Sequence, residues 1–228
     1  MPTLPQIESL ENRRLLSASP VVAPSTPHPV KALHAAKPPH SAKNVRTFSD
    51  RTFKDSDWTT SDTSTTGSST AKQVKNGGFP GSFRQITDTV ASHSTYYVVN
   101  VSRKAKYNAA KLGAITSITY SESNKLIDGF GDGQATGAAL IQNGKLYLAT
   151  GTGVVTPQSD WKTVVIPNLT AANFGTLDTG EHPDFSQSGA PIQFGFYRGN
   201  TSIGASYTIS AAIDNWTVKI TTLKTKGS

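Results

Sequence analysis

The chain has 228 residues, enough for one large domain or an ordinary domain with tails, and only 16% of them are charged, which excludes a coiled coil or a polyelectrolyte. It contains no cysteine, so disulfides, thiolate zinc sites and thiol nucleophiles are excluded, and no run of about 18 apolar residues that would cross a membrane as a helix. The net charge of +7 is spread thinly, +3 over residues 1–45 and +4 over the remainder, with no stripe of Lys and Arg such as nucleic-acid phosphates need.

The N-terminus lacks the apolar core of a secretory signal peptide. It carries instead Leu10, Glu11, Arg13, Leu15, Leu16 and Ser17 in the run Leu-Glu-Asn-Arg-Arg-Leu-Leu-Ser. This run is similar to the short LEPR-XLL export motif of planctomycete surface and secreted proteins, with Asn12 departing from the usual Pro or Asp. The resemblance implies an extracellular or cell-surface address and says nothing about activity. Residues 18–45 follow, rich in Pro, Ala, Ser and His, and are expected to form a disordered linker because they cannot bury enough apolar surface to offset chain entropy. His28, His34 and His40 recur there without carboxylates or thiols, too sparse a donor set for a built metal site.

From residue 46 to 222 short runs of Val, Ile, Thr, Tyr and Phe alternate with Gly, Asn, Asp, Ser and Pro breaks, and the C-terminal 223–228 is expected to be a disordered tail. The pattern predicts strands near 47–53, 71–74, 83–87, 95–102, 114–122, 137–142, 145–150, 162–167, 191–197 and 213–222. One helical turn is predicted at Ala109–Leu112. The clearest signal is Asn143-Gly144, which supplies the two positive-φ residues of a tight hairpin turn. Counting outward, Ala139, Ile141, Leu146 and Leu148 share one face of this hairpin, and Leu140, Gln142, Lys145 and Tyr147 share the other. The first set is expected to face the core. Ile192, Phe194 and Phe196 share one side of their strand, as do Trp216, Val218 and Ile220 of theirs. Many short strands without crossover helices predict an all-β fold, an antiparallel β-sandwich of jelly-roll type.

Several segments carry a second likeness: Phe48 and Phe53 followed by Asp57-Trp58, then Gly77–Arg84, Gly113–Ile118, Trp161–Pro167 and Ile213-Asp214-Asn215-Trp216. Together they resemble bacterial extracellular jelly-roll domains of the concanavalin-like and carbohydrate-binding-module-like kind. That resemblance implies pairing of the first and last strands, and a structural Ca²⁺ held by Asp214 with Asp50 or Asp55. It also makes Trp58, Trp161, Trp216, Tyr96, Tyr97 and Tyr197 candidates for stacking on sugar. Tyr197, Arg198 and Asn200, at a strand end, are the expected ligand-binding residues.

Catalysis finds little support. A laminarinase-type hydrolase needs convergent carboxylates, whereas the only glutamates of this region are Glu122 and Glu181, neither with an Asp two residues on. No Gly-x-Ser-x-Gly elbow occurs. The expected function is a non-catalytic extracellular binding or adhesion module, with polysaccharide or extracellular matrix as its partner. The alternatives are a structural envelope protein without a small ligand and an extracellular hydrolase with an unrecognised site.

Overall fold

A pleated backbone sends successive side chains to opposite faces, so strands that alternate apolar and polar residues must pack one face inward. The computed structural model describes residues 43–129, 134–150, 153–155 and 160–223. Among them the chain forms β1 (Lys43–Asp50), β2 (Trp58–Asp62), β3 (Gly67–Gly78), β4 (Gly81–Val90), β5 (Ser94–Tyr107), β6 (Ile115–Gly129) and β7 (Gln134–Gln142). There follow β8 (Lys145–Ala149), β9 (Gly153–Val155), β10 (Lys162–Leu169), β11 (Phe174–Gly175), β12 (Ile192–Ser202) and β13 (Tyr207–Leu223). The predicted helical turn is α1 (Ala109–Leu112), whose first turn is capped by the Asn108 side chain accepting from Ala110 N–H.

The strands make two antiparallel sheets. The first runs β10-β6-β13-β4-β3, with β1 also on β13, and the second runs β11-β8-β7-β12-β5-β2, with β9 on β7. Strand β13 is the spine of the first sheet. Its first half pairs with β4 through Tyr207–Ile213, its second half pairs with β1 from Trp216 to Leu223, and β6 lies along its other edge. The changeover falls at Asp214 and Asn215, where Asn215 takes a positive φ of 51°. The first and last strands thus pair, as expected.

Between the sheets lies a core that includes Phe53, Trp58, Ile86, Val98, Ile118, Leu140, Phe194, Phe196 and Trp216. Trp58 sits edge-on to Trp216 at 5.0 Å and to Phe196 at 5.4 Å. Phe174, on the two-residue strand β11, and Tyr147 complete it at the β8 side.

Three expectations change here. Strand β1 begins at Lys43, inside the segment read as linker, because Lys43, Asn44 and Val45 pair with Leu223, Thr222 and Thr221 on an exposed edge that needs no apolar pattern. At the other end β13 runs on to Leu223, and residues 224–228 lie outside the described ones. The sorting-motif residues Leu10 to Ser17 also lie outside them. Thirdly, the hairpin faces are reversed: Leu140 and Tyr147 enter the main core, while Ala139, Ile141, Leu146 and Leu148 form a second cluster with Val99, Val101, Tyr97 and Tyr197. Both faces of this hairpin are apolar, so alternation alone could not orient it.

Candidate functional site: a cleft on the outer face of the second sheet

The second cluster is the outer face of the second sheet. In β12 the residues alternate, with Ile192, Phe194 and Phe196 inward and Gly195, Tyr197 and Gly199 outward; β5 turns Tyr96 and Val98 inward and Tyr97, Val99 and Val101 outward. Tyr97 stands opposite Gly199, and Tyr197 opposite Gly137 of β7. These pairings bring each ring against a glycine of the neighbouring strand. A methyl group on Gly199 would come within 2.6 Å of the Tyr97 ring, and one on Gly137 within 2.8 Å of the Tyr197 ring. The rings meet at 6.0 Å with planes 65° apart, and the Tyr197 hydroxyl donates to the Ala149 carbonyl at 3.0 Å. Burial pushes the Tyr197 phenol up, so it remains a neutral donor.

A loop stands over this aromatic floor. After β11 the chain turns through Thr176–Glu181 and closes on itself: Thr176 N–H donates to Glu181 O, and Gly180 N–H, at a φ of 70°, donates to Thr176 O. Glu181 forms an exposed ion pair with Lys145 of β8 at 2.7 Å. His182 Nδ1–H donates to the Phe174 carbonyl at 2.6 Å. A cleft of about 440 Å³ opens on one side of the loop, lined by Tyr97, Leu148, Thr150, Gly180, His182 and Tyr197 among others. A cleft of about 430 Å³ opens on the other, with Asp62, Thr63, Lys145, Leu146, Asp178 and Glu181. Thr176 and Leu177 line both.

The polar groups of these clefts are acceptors and donors suited to hydroxyl groups. Asp178 is held below the usual carboxylate range by the Thr176 hydroxyl and by Thr179 N–H, so it stays ionised. Asp62 accepts the phenol of the buried Tyr96. Glu122, the other glutamate of this region, lies wholly between the sheets, where Tyr120 and Asn124 donate to it and Arg198 pairs with it at 3.1 Å.

Of the three residues expected to bind ligand, Tyr197 alone lines a cleft. Arg198 and Asn200 are buried, at 0% and 4% exposure, and point the other way. The alternation that sends Phe194 and Phe196 into the core carries residues 198 and 200 there too. Arg198 lies over the Phe196 ring at 4.9 Å and donates to Glu122 and Thr136, while Asn200 donates to Asp88 at 2.8 Å. Among the other aromatic candidates, Trp58, Trp216 and Tyr96 are core residues, Tyr97 reaches the cleft, and Trp161 sits against Phe79 and Phe83. The glycines that seat the tyrosines escaped the sequence reading, because the signal is a cross-strand pairing that only the register reveals.

The carboxylates expected to hold calcium each accept hydrogen bonds from the protein. Asp50 Oδ1 accepts from Thr52 and Phe53 N–H, and its Oδ2 from the Trp58 indole at 2.8 Å. Burial pushes the Asp50 carboxyl up, but these N–H donors outweigh it and hold the group below its ordinary value. Asp214 Oδ2 accepts from Phe79 N–H at 2.5 Å, and Oδ1 from Asn215 N–H at 2.6 Å. Asp55 pairs with Arg84 at 3.0 Å. Among the described residues no group of three or more His, Cys, Asp or Glu side chains is arranged to hold a metal ion.

No family model and no curated protein matches the chain. Among solved structures it is similar to a family 11 carbohydrate-binding module from Clostridium thermocellum in complex with a β-1,3-1,4-mixed-linked tetrasaccharide, at 17% identity and a TM-score of 0.46 over 77% of this chain and 94% of that one. It is also similar to a family 30 carbohydrate-binding module, at 13% identity and a TM-score of 0.42 over 75% and 98% of the two chains. A third likeness is to the CBM22-1 xylan-binding domain from Paenibacillus barcinonensis Xyn10C, at 11% identity and a TM-score of 0.41 over 78% and 95%.

Proposed function

We propose that this protein is a non-catalytic glycan-binding module that takes a neutral polysaccharide in the clefts beside Thr176–Glu181. One observation carries the reading: the half-buried ring of Tyr97, seated on Gly199 of the neighbouring strand and backed edge-on by the buried Tyr197, lines an open cleft with hydroxyl and imidazole groups, and carboxylates line the cleft beside it. The C–H face of a pyranose packs on such a ring, and the rim groups match its hydroxyls. The ionised Asp178 and the Asp62 carboxylate disfavour an anionic polymer. The N-terminal run around Arg13, Leu15 and Leu16 supports an extracellular or cell-surface address; its test is the export of a reporter fused to it, with Arg13, Arg14, Leu15 and Leu16 substituted.

Native affinity electrophoresis in gels containing β-1,3-1,4-glucan, xylan or galactan tests the binding reading. We expect retardation by at least one of these polymers, weakened about tenfold in Tyr97→Ala, which corresponds to the roughly 1.4 kcal/mol a stacking contact contributes. Absence of retardation in every gel overturns the reading and leaves a structural envelope role, while retardation that is equal in wild type and Tyr97→Ala removes the cleft as the site.

A further inference from the structure

The first sheet carries an aromatic surface of its own. Its outer face is mostly hydroxylic: Thr87 bonds Ser210 at 2.8 Å, Thr89 bonds Thr208 at 3.0 Å, and Ser123 bonds Thr163 at 3.1 Å. At one end this changes. Trp161, just before β10, and Phe79, in the β3–β4 turn, stand with ring centroids 6.3 Å apart and planes 17° apart. Phe83 of β4 meets the Trp161 ring edge-on at 5.7 Å. Strands β10 and β4 are separated by β6 and β13, so the three rings bridge across those strands. Beneath this region the outward residues Ser123 and Ala212 are buried, at 2% and 1% exposure.

Phe79 is 49% exposed, and yet it is held rigidly. Asp214 accepts its N–H at 2.5 Å, and Asn215 Nδ2 donates to its carbonyl at 2.6 Å. The clamp is itself packed: a methyl group on Gly78 would come within 2.8 Å of Asp214 Oδ2. An exposed aromatic ring whose backbone is fixed at both polar atoms is pre-organised for contact, because little side-chain and loop freedom is left to lose on binding. Beside the rings lie the exposed hydroxyl of Thr163 and the Asn215 side chain, which also donates to Ser123 at 3.3 Å.

We propose that Phe79 and Trp161 form a second glycan-binding site, taking one or two pyranose units of a neutral polysaccharide on the sheet opposite the cleft. The flat rings receive the C–H face of the sugar, and Thr163 and Asn215 meet its hydroxyls. The patch is too small for a second copy of this chain. A stable dimer buries about 800 Å² per partner, whereas among the described residues this end of the face offers the apolar side chains of Phe79, Trp161 and Val165, with Phe83 buried beneath Trp161. Two sites on opposite sheets let one domain bridge two polysaccharide chains, which converts weak single contacts into avidity.

The three tryptophans make the test specific. Trp58 and Trp216 are buried at 3% and 1% exposure, and Trp161 is half-buried, so iodide quenching of fluorescence reports Trp161. The full chain is titrated with soluble β-1,3-1,4-glucan, xylan and galactan. We expect at least one polymer to reduce iodide quenching severalfold in the wild type and equally in Tyr97→Ala, and to leave quenching unchanged in Phe79→Ala. That outcome stands whether or not the cleft binds, since Tyr97 belongs to the other sheet. The proposal is overturned by quenching that no polymer reduces, by protection that survives in Phe79→Ala or vanishes in Tyr97→Ala, or by protection that grows with protein concentration alone alongside a doubled mass in solution.

Discussion

At the scale of single residues, the cleft depends on two glycines. Gly199 gives the Tyr97 ring its seat, and the atom a methyl group would strike there is the movable edge of a half-buried ring. Gly199→Ala is therefore expected to cost little stability, on the order of 1 kcal/mol, while lifting Tyr97 off the floor. Glycan affinity should fall severalfold with the melting temperature nearly unchanged; if affinity holds, the ring position does not matter for binding. Asp88 makes a different case. Burial pushes its carboxyl up to about 6, so the folded chain holds that proton more tightly than the unfolded chain. Its contribution to stability is fully present below about pH 4 and is lost as pH rises through 6. Gln134 and Asn200 both donate to one oxygen, Oδ2, and the carbonyl of Asn would accept both. Asp88→Asn should thus raise the melting temperature by about 5 °C at pH 8 and change it little at pH 4, which a calorimetric pH series will read.

At the scale of elements, β13 does the most to organise the fold. It exchanges β4 for β1 midway along one edge, and the gap at Asp214–Asn215 is where the β3–β4 turn docks. Asp214→Ala leaves Phe79 and Asn215 N–H without their acceptor, at an expected cost of about 1–3 kcal/mol. Burial raises the Asp214 carboxyl, and the N–H groups of Phe79 and Asn215 oppose that rise. Since the oxygens of Asp50 and Asp214 are engaged by N–H and indole donors, the melting temperature should be the same in calcium and in chelator. A rise of several degrees with calcium would support the structural Ca²⁺ expected from the sequence.

At the scale of the whole molecule, a polar layer joins the sheets at one end of the apolar core. Glu122 of β6 pairs with Arg198 of β12, and Asp88 of β4 binds Gln134 of β7 and Asn200 of β12. Buried pairs of this kind add little net stability over apolar packing, but breaking one strands a charge. Arg198→Met should cost about 3–5 kcal/mol in denaturant unfolding, and adding Glu122→Gln should recover a large part of that loss. Failure of the second substitution to rescue the first would mean that Arg198 acts mainly by packing on Phe196.

Much of this was legible in the amino-acid sequence. Strand-sized runs, the Asn143-Gly144 turn, the Ala109–Leu112 helical turn and the inward set Ile192, Phe194, Phe196, Trp216, Val218 and Ile220 all follow from local chemistry, and local chemistry is complete within a strand or a turn. The short strands β2, β9 and β11 were not legible, because two to five residues carry too little periodicity and their pairing partners make them strands. The same limit governed the site. Periodicity says which residues share a face, but where both faces are apolar, as in the β7–β8 hairpin, only packing of one sheet on the other decides which face is core. Arg198 was readable as inward from Phe194 and Phe196, yet its burial became affordable only when β6 brought Glu122 across the sandwich. The seating of Tyr97 on Gly199 and of Tyr197 on Gly137 likewise required strands distant in sequence to come into register, so the candidate binding surface is a product of the tertiary structure.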